Sequence, residues 1–329
     1  MKNSTAPNRK TGRMIAKNLI VLFTVALAGF CGIQAWFTDK RSADADGIKV
    51  ECQAPDGIEI AVVGHDAPAP TEYTTGNITL SKDNCKFLEK LQLTEITGDG
   101  TSFKKPALIQ LGGQAQVDPN AEWSDPTANL HYLSFDLYIR SKSQYNISIG
   151  EKSTIKPDAP QLTASGGTSI KNESKYGNFS RDAVVGAVRF SVVDYKHDPP
   201  SKKLLWLPAP NILLEQNGDE YALSDNKTSG DSYSHVYYDT QKEKHTVSNA
   251  EQDAAFVVNN KFVGEKFTYE LGTNQKIAQL TKSSDTDQFY SAMVTCNMWI
   301  EGEDAEARLA LVNGKFKVNL VLTKETKEN

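Results

Sequence analysis

The stretch LSFDLYIR, residues 133–140, alternates apolar residues with more polar ones. Successive side chains of a β-strand point to opposite faces of the sheet, so a period of two predicts a strand with one buried face. The predicted inward face consists of Leu133, Phe135, Leu137 and Ile139. The same period recurs along much of the chain, and the predicted fold class is therefore mainly β.

Further alternating runs lie on both sides of this stretch, at residues 58–62, 188–192 and 316–322. Residues 48–52 also alternate, and the APDG turn separates them from the run at residues 58–62. Residues 47–63 are therefore predicted to form a β-hairpin. Residues 293–300 are apolar on both faces, as is typical of a central strand. The best helix signal, NCKFLEKLQL at residues 84–93, predicts only a short helix.

Turn and loop signals complete the predicted architecture. Asn313-Gly314 lies between two extended runs and is a strong hairpin signal. Residues 150–182 and 215–252 are rich in small polar residues, and loops of this length are usually functional insertions or mobile segments. The pattern favours one antiparallel β-sandwich over residues 47–329, with long polar loops and a β-rich insertion around residues 150–290.

Charge is unevenly distributed along the chain. Residues 1–35 contain five of the 36 Lys and Arg residues and none of the 41 Asp and Glu residues. The rest of the chain therefore carries 31 basic against 41 acidic residues, a net charge of −10. Proteins that bind nucleic acid need clustered Lys and Arg to neutralise phosphates, so this balance argues against a nucleic-acid partner. It favours an acidic extracellular domain.

The N-terminus has the order of an export signal, in which basic residues precede an apolar run, here residues 19–37. A removable signal has an apolar core of roughly 7–15 residues and a membrane-spanning helix needs about 20, so this run lies between the two. Residues 1–35 are therefore predicted to form a hydrophobic helix, either a cleaved signal peptide or a membrane anchor. Both fates place residues 40 onward outside the cytoplasm, because the basic flank stays inside.

The chain contains none of the common catalytic or nucleotide-binding motifs. H-E-x-x-H, G-x-S-x-G and Walker sequences are all absent. His235 and His245 lie in a polar region rich in Tyr, where an exposed loop is favoured over a metal or sugar site. We therefore expect a protein that is not an enzyme and that needs no cofactor.

The acidic segment WIEGEDAE, residues 299–306, follows the predicted central strand. Calcium binds several carboxylate and carbonyl oxygens within one loop, which makes this segment a candidate calcium site. The candidate ligands are Glu301, Glu303, Asp304 and Glu306. Their spacing is not that of an EF-hand, and an acidic turn at the end of a strand is the favoured interpretation.

Three cysteines lie beyond residue 35, namely Cys52, Cys85 and Cys296. In an oxidising compartment, two of them would form a disulfide and the third would remain a thiol. The alternative is three reduced, buried cysteines, and the sequence does not distinguish the two. No C-x-x-C sequence is present, so neither a zinc ribbon nor a thioredoxin-like site has support.

The stretch VALAGFCGIQAWFTDKRSADADGIKV, residues 25–50, resembles the export signals of camelysin and TasA-type proteins. In those Gram-positive proteins, which a SipW-type signal peptidase processes, an apolar run containing Gly ends in Ala. Aromatic residues, a small polar residue and Asp then follow, and the matching positions here run from Ala35 to Asp39. The resemblance implies cleavage between Ala35 and Trp36, which leaves residues 36–46 as a polar N-terminal segment.

The same resemblance implies a fold, a location and partners. It implies a jelly-roll-like β-sandwich at the cell surface or in the biofilm matrix of a Gram-positive bacterium, anchored in the membrane if the signal is not cleaved. In TasA-type fibres an N-terminal segment completes the sheet of the next subunit, so residues 36–46 are the candidate donor segment. The expected partners are further copies of the chain or other matrix proteins, besides the signal peptidase.

Two other functions remain as alternatives. A surface adhesin would bind glycans through the long polar loops. A secreted metallopeptidase is implied by the name camelysin, although the chain has no recognisable zinc motif.

Overall fold

A computed structural model describes most of the predicted β-rich region. The described residues are 43–44, 48–105, 107–111, 114–117, 122–157, 169–171, 185, 187–208, 214–217, 220–223, 256–258, 261–263, 266–301 and 316–326. Within them the chain is mainly β, as predicted, and its helix is limited to the 3-10 turn Lys86–Leu88 and residues 185 and 187. The predicted N-terminal helix, residues 1–35, lies outside the described residues. None of the helices described could cross a membrane.

The described residues form 24 strands, labelled in chain order. They are β1 (Ala43–Asp44), β2 (Ile48–Gln53), β3 (Glu59–Gly64), β4 (Thr74–Thr75), β5 (Asn77–Leu80), β6 (Gln92–Leu93), β7 (Glu95–Gly98), β8 (Phe103–Lys104), β9 (Leu108–Leu111), β10 (Gln114–Val117), β11 (Leu133–Ser141), β12 (Tyr145–Ile149), β13 (Thr154–Pro157), β14 (Ser169–Lys171), β15 (Val188–Asp194), β16 (Ser201–Leu207), β17 (Leu214–Asn217), β18 (Glu220–Leu223), β19 (Phe256–Val258), β20 (Lys261–Val263), β21 (Lys266–Thr268), β22 (Gln275–Gln279), β23 (Tyr290–Glu301) and β24 (Phe316–Thr326). Most pairings between them are antiparallel.

The large sheet contains β19, β16, β15, β23, β11, β3 and β4 in that order, and β7 and β8 join it beside the end of β23. β23 lies at its centre, hydrogen-bonded to β11 on one edge and to β15 on the other. From Val294 to Glu301 every residue of β23 is buried. The prediction of a central strand at residues 293–300 is therefore confirmed.

The small sheet contains β22, β12, β24, β2 and β5 in that order, and β13 pairs with the first half of β24. β24 is the strand on which this sheet is built, because it pairs with β12 and β13 on one edge and with β2 on the other. β2 runs parallel to β24, with Ile48 opposite Phe316, whereas the other pairings in this sheet are antiparallel.

One hydrophobic core is shared by the two sheets. The large sheet contributes Leu133, Phe135, Leu137, Ile139, Phe190, Val192, Val294, Cys296 and Met298. The small sheet contributes Val50, Cys52, Leu80, Ile147, Ile149, Ile277, Phe316, Val318, Leu320 and Leu322. None of these residues is more than 2% exposed. The inward faces predicted for residues 133–140 and 316–322 are thus confirmed.

The predicted hairpin at residues 47–63 is wrong, although both of its strands exist. β2 belongs to the small sheet and β3 to the large sheet, so the APDG turn carries the chain from one sheet to the other. Alternation records which face of a strand is buried, and both strands bury a face in the same core. It therefore does not tell which strand is the hydrogen-bonding neighbour.

Three other predictions are corrected or remain untested. The short helix at residues 84–93 is reduced to the turn Lys86–Leu88, followed by β6. The stretches 150–182 and 215–252, predicted as loops, include the short strands β13, β14 and β18 and most of β17. Asn313-Gly314 lies outside the described residues, although β24, the second strand of its predicted hairpin, is present.

Replacing Leu320 with Ala tests the role of β24 in the shared core. We expect the free energy of unfolding to fall by about 2–5 kcal/mol, because the truncation leaves a cavity at a fully buried position. Urea unfolding followed by tryptophan fluorescence measures the change. Glu325→Ala, at an exposed position of the same strand, is the control and should change stability by no more than about 0.5 kcal/mol. Equal effects of the two substitutions would contradict the assignment.

Candidate functional site

A cleft opens at one side of the molecule because neighbouring strands of the large sheet differ in length. The ladder between β15 and β23 ends at the pair Val193–Thr295. On the same edge of β23, the next pairing joins Thr281 and Ser291, whose backbone N–H groups donate to each other's carbonyls at 3.1 and 2.8 Å. Met293 lies in the gap between these two pairings. Beyond Asp194 the chain turns away toward β16, and β22 of the small sheet forms the opposite wall.

The cleft has an apolar floor. It encloses about 470 Å³, a volume within the range of small-molecule sites. Its floor consists of aliphatic and thioether side chains from β22 and β23, namely Ile277, Ala278, Ala292, Met293 and Val294. Ile277 and Val294 are buried at the margin of the shared core, and the other three are partly exposed. The floor is therefore the place where the core of the protein reaches solvent.

The rim of the cleft is basic. It carries Lys196, Lys203, Lys276 and His197, with Asp194 as the acidic residue among them, and the uncharged polar residues Gln279, Thr281 and Ser291 also line the cleft. Asp194 already accepts a hydrogen bond from the backbone N–H of Lys196 at 3.0 Å, and one of its oxygens lies 3.3 Å from Nε2 of His197. We name this feature, the apolar floor with its three lysines, the lysine cleft. Three lysines around one cleft make its rim locally basic in a chain of net negative charge, and such a rim favours an anion.

A second feature is a polar cluster on the face of the large sheet that points away from the shared core. Ser134 donates to Oδ1 of Asn297 at 2.7 Å, and Nδ2 of Asn297 donates to the carbonyl of Gly100 at 3.2 Å. The hydroxyl of Ser191 donates to the same carbonyl at 2.8 Å. These contacts fix the turn between β7 and β8 onto three adjacent strands.

Gly100 is required at this turn for two reasons. Its φ of +93° lies in the region that side chains with a Cβ rarely adopt, and an added Cβ would lie 2.8 Å from Cβ of Ser191. The turn can therefore approach the sheet closely enough for its carbonyl to accept both hydrogen bonds.

The polar cluster includes one ionisable pair. Nδ1 of His65 lies 2.9 Å from Oδ1 of Asp136, which also accepts a hydrogen bond from the hydroxyl of Thr295 at 2.7 Å. The hydrogen bond to Asp136 raises the pKa of His65; burial opposes this shift, and the charges of Asp136 and Asp66 add to it. Asp136 and Thr295 are both buried, so neither side chain is presented to solvent.

Aromatic packing closes the same face. The rings of Phe103 and Tyr132 stack with their centroids 4.4 Å apart, and Phe103 meets Trp299 edge to face at 5.1 Å. Burial raises the pKa of Tyr132 to about 12, so its hydroxyl remains protonated at neutral pH. The ring of Tyr195 lies 5.3 Å from that of His65, and its hydroxyl donates to the carbonyl of Thr101 at 3.3 Å.

Comparison of the chain with protein-family models, with curated proteins and with solved structures finds no match. The resemblance to camelysin and TasA-type proteins is untested by these comparisons and stays a prediction. Any function must therefore be argued from the residues themselves.

The predicted cleavage pair and most of the predicted calcium ligands cannot be placed. Ala35 and Trp36 lie outside the described residues, as do Glu303, Asp304 and Glu306. Glu301 is described and is fully buried, and its Oε2 accepts hydrogen bonds from Nε1 of Trp299 at 3.1 Å and from the N–H of Gly98 at 3.4 Å. This carboxylate anchors the end of β23 to β7, and the calcium hypothesis stays a prediction.

Metal ligation has no support in the described part of the chain. No group of three His, Cys, Asp or Glu residues that could hold an ion is found there. His235 and His245, the predicted polar-loop histidines, lie outside the described residues.

The three cysteines come together although they are far apart in the sequence. Cys52 from the small sheet and Cys296 from the large sheet are fully buried in the shared core, and Cys85 packs partly buried against it. All three are free thiols in the structure. Burial raises the pKa of Cys52 to about 12, with the charges of Glu51 and Cys85 adding to the shift, and burial also raises the pKa of Cys296. A disulfide between two of them remains a prediction.

Sequence reasoning missed both the lysine cleft and the polar cluster. The lysines of the cleft come from the turn after β15, from β16 and from β22, and no local motif connects them. The alternation in residues 133–140 correctly predicted that Ser134 and Asp136 lie on the face opposite the shared core, but the prediction that only one face of the strand is buried is wrong, because both residues are buried. It did not predict that the turn at residues 98–102 would cover this face.

The His65–Asp136 pair predicts a specific pH dependence of stability. Because the folded-state pKa of His65 is raised above its unfolded value, the pair stabilises the fold fully below about pH 6.5, and this contribution is lost as pH rises through the folded-state pKa. The free energy of unfolding lost in His65→Gln should thus be larger at pH 5.5 than at pH 8.5, as urea unfolding at the two pH values will measure.

His131 serves as a control, because its pKa is shifted in the opposite direction to that of His65. Burial and the charge of Lys105 lower its pKa, so His131 destabilises the fold as pH falls through its unfolded pKa. The free energy of unfolding of His131→Gln, relative to that of the unsubstituted protein, should therefore be higher at pH 5.5 than at pH 8.5. A His65→Gln effect that does not change with pH would refute the role of the ion pair.

Proposed function

We propose that this chain is an exported, non-enzymatic structural protein of the bacterial cell surface or biofilm matrix. The observation that carries the proposal is the position of the first long strand. The export-like stretch ends at residues 47–50, and β2 begins at Ile48, hydrogen-bonded to β24 on one edge and to β5 on the other. The long strands of the domain therefore begin after Ala35, the residue at which the resemblance ends the signal, and the polar segment 36–46 separates the two in the sequence.

We further propose that the two sheets form a jelly-roll-like β-sandwich. The shared core supports this, as does the path of the chain between the sheets. β2, β3, β5, β11 and β12 alternate between the small and large sheets, and β22, β23 and β24 alternate again. Such repeated crossing is typical of double-sheet folds with Greek-key connections.

Assembly is part of the proposal because the small sheet ends in edge strands. In the part of the chain that the structure describes, β5 and β22 each pair along only one edge, and such edges accept a strand from another chain. The resemblance to TasA-type proteins makes residues 36–46 the candidate donor. Two residues of that segment, Ala43 and Asp44, pair with β6 of the same chain, which leaves residues 36–42 as the part to be donated.

Determination of the mature N-terminus tests the export proposal. We expect N-terminal sequencing of the protein from culture medium to begin at Trp36, because the residues around it match the predicted cleavage pattern. An intact Met1 in the membrane fraction would instead indicate an anchored surface protein. Retention of the uncleaved chain in the cytoplasm would refute export.

Substitution of Phe37 tests the assembly proposal. If residues 36–42 add to the sheet of another subunit, Phe37→Ser should abolish fibres formed by the exported protein, because it removes an apolar side chain from the donated segment. Arg41→Ala in the same segment is the control and should leave fibres intact. Electron microscopy and size-exclusion chromatography provide the measurements. A protein that stays monomeric at high concentration, with no fibres on cells, would refute assembly.

The second candidate function is glycan binding at the cell surface, which the length and polar composition of residues 215–252 favour. If the protein is an adhesin that recognises glycans, it should bind members of a glycan array. If the long polar segment recognises the sugar, deletion of residues 215–252 should reduce that binding. An array without hits would remove the glycan-binding alternative.

A further inference from the structure

We propose that the lysine cleft binds an aliphatic anion, a molecule with a carboxylate or phosphate head group and a hydrocarbon chain. The proposal concerns a small-molecule site and does not rest on export or assembly. It follows from three properties of the cleft, namely its shape, its floor and its rim.

The shape is fixed by the backbone of the large sheet. The pairings Val193–Thr295 and Thr281–Ser291 bracket Met293 on one edge of β23, so no strand described in the structure occupies the gap. The facing strand β22 is held in the small sheet by its ladder with β12. Both walls therefore belong to paired strands, and the cleft exists without a loop having to move.

The floor selects a hydrocarbon chain. Its residues Ile277, Ala278, Ala292, Met293 and Val294 have aliphatic or thioether side chains, and no Phe, Tyr or Trp lines the cleft among the described residues. Contact with a flexible hydrocarbon removes apolar surface from water on both partners. The Met293 side chain can adapt to the exact path of the chain, because it is unbranched and polarisable.

The rim selects a negative head group. Lys196, Lys203 and Lys276 line the cleft from three separate elements, and Asp194 already contacts the backbone N–H of Lys196 and the ring of His197. Nζ of Lys203 donates to Ser201 at 2.9 Å, which holds this side chain beside the cleft. An ammonium group acts as a point charge with freely rotating donors, so carboxylate and phosphate both satisfy it.

A neutral sugar or an uncharged peptide fits this arrangement less well. Neither carries a negative charge to neutralise the three lysines of the rim. A larger acidic polymer would use the rim and leave the apolar floor in water. The combination of a basic rim with an aliphatic floor therefore favours a ligand that is charged at one end only.

Calorimetric titration of the full-length chain with four probes tests the head group and the chain separately. Octanoate and octyl phosphate carry both features, 1-octanol carries only the chain, and acetate only the charge. We expect both octyl anions to bind and 1-octanol and acetate to bind at least about tenfold more weakly. The ratio of affinities for octanoate and octyl phosphate then identifies the preferred head group.

Lysine variants locate the binding. The double variant Lys203→Gln/Lys276→Gln should weaken octanoate binding by at least about tenfold, because it removes two of the three charges at the rim. Lys142→Gln, an exposed lysine in the turn between β11 and β12, is the matched control and should leave the affinity unchanged. All variants keep residues 1–35, so any association of octanoate with that apolar segment is common to them.

Each contrary result has a defined meaning. Equal binding of 1-octanol and octanoate would overturn the role of the lysines, and equal binding of acetate would overturn the role of the floor. Equal affinities of the double variant and Lys142→Gln would overturn the assignment of the site to this cleft. None of these results depends on where the mature chain begins or whether it forms fibres.

Discussion

Burial of one face of the large sheet against one face of the small sheet is the interaction on which the rest of the structure depends. Each fully buried Leu, Ile or Phe contributes roughly 1.5–3 kcal/mol relative to an exposed position, whereas a single hydrogen bond contributes about 0.5–1.5 kcal/mol net. The core residues of β11, β23 and β24 therefore outweigh any individual polar contact. They also fix the register, because a shift of one residue would turn every apolar side chain of a strand toward solvent.

The outer face of the large sheet is built on this register. With β23 fixed between β11 and β15, Asn297 falls between Ser134 and Ser191, and Thr295 falls beside Asp136. The turn around Gly100 and the ring of Tyr195 can then cover a polar surface whose hydrogen bonds are already arranged. This is why hydroxyl, amide and carboxylate groups are buried here in hydrogen-bonded contacts, which lower the desolvation cost of removing them from water.

The lysine cleft and the polar cluster have different physical origins. The polar cluster results from close contact between a turn and a completed ladder. The cleft results from an incomplete ladder, because β23 continues past the end of β15. β23 thus has a covered polar surface toward its C-terminal end and an open cleft with apolar residues toward its N-terminal end. The second is better suited to binding, since its charged rim and part of its apolar floor, at Ala278, Ala292 and Met293, are accessible to solvent.

The amino-acid sequence by itself determined the fold class, the main strands and the buried faces of residues 133–140 and 316–322, because side-chain alternation directly records burial. It also placed Ser134 and Asp136 on the face opposite the core, but it did not predict that this face is buried too. It did not determine which strands are neighbours, as the mistaken hairpin at residues 47–63 illustrates, because β2 and β3 bury faces in one core from opposite sheets. Only the tertiary structure brought Lys196, Lys203 and Lys276 to one rim and His65 to Asp136. These groups are separated along the chain, and their proximity depends on strand pairing and strand length, for which the local sequence carries no signal.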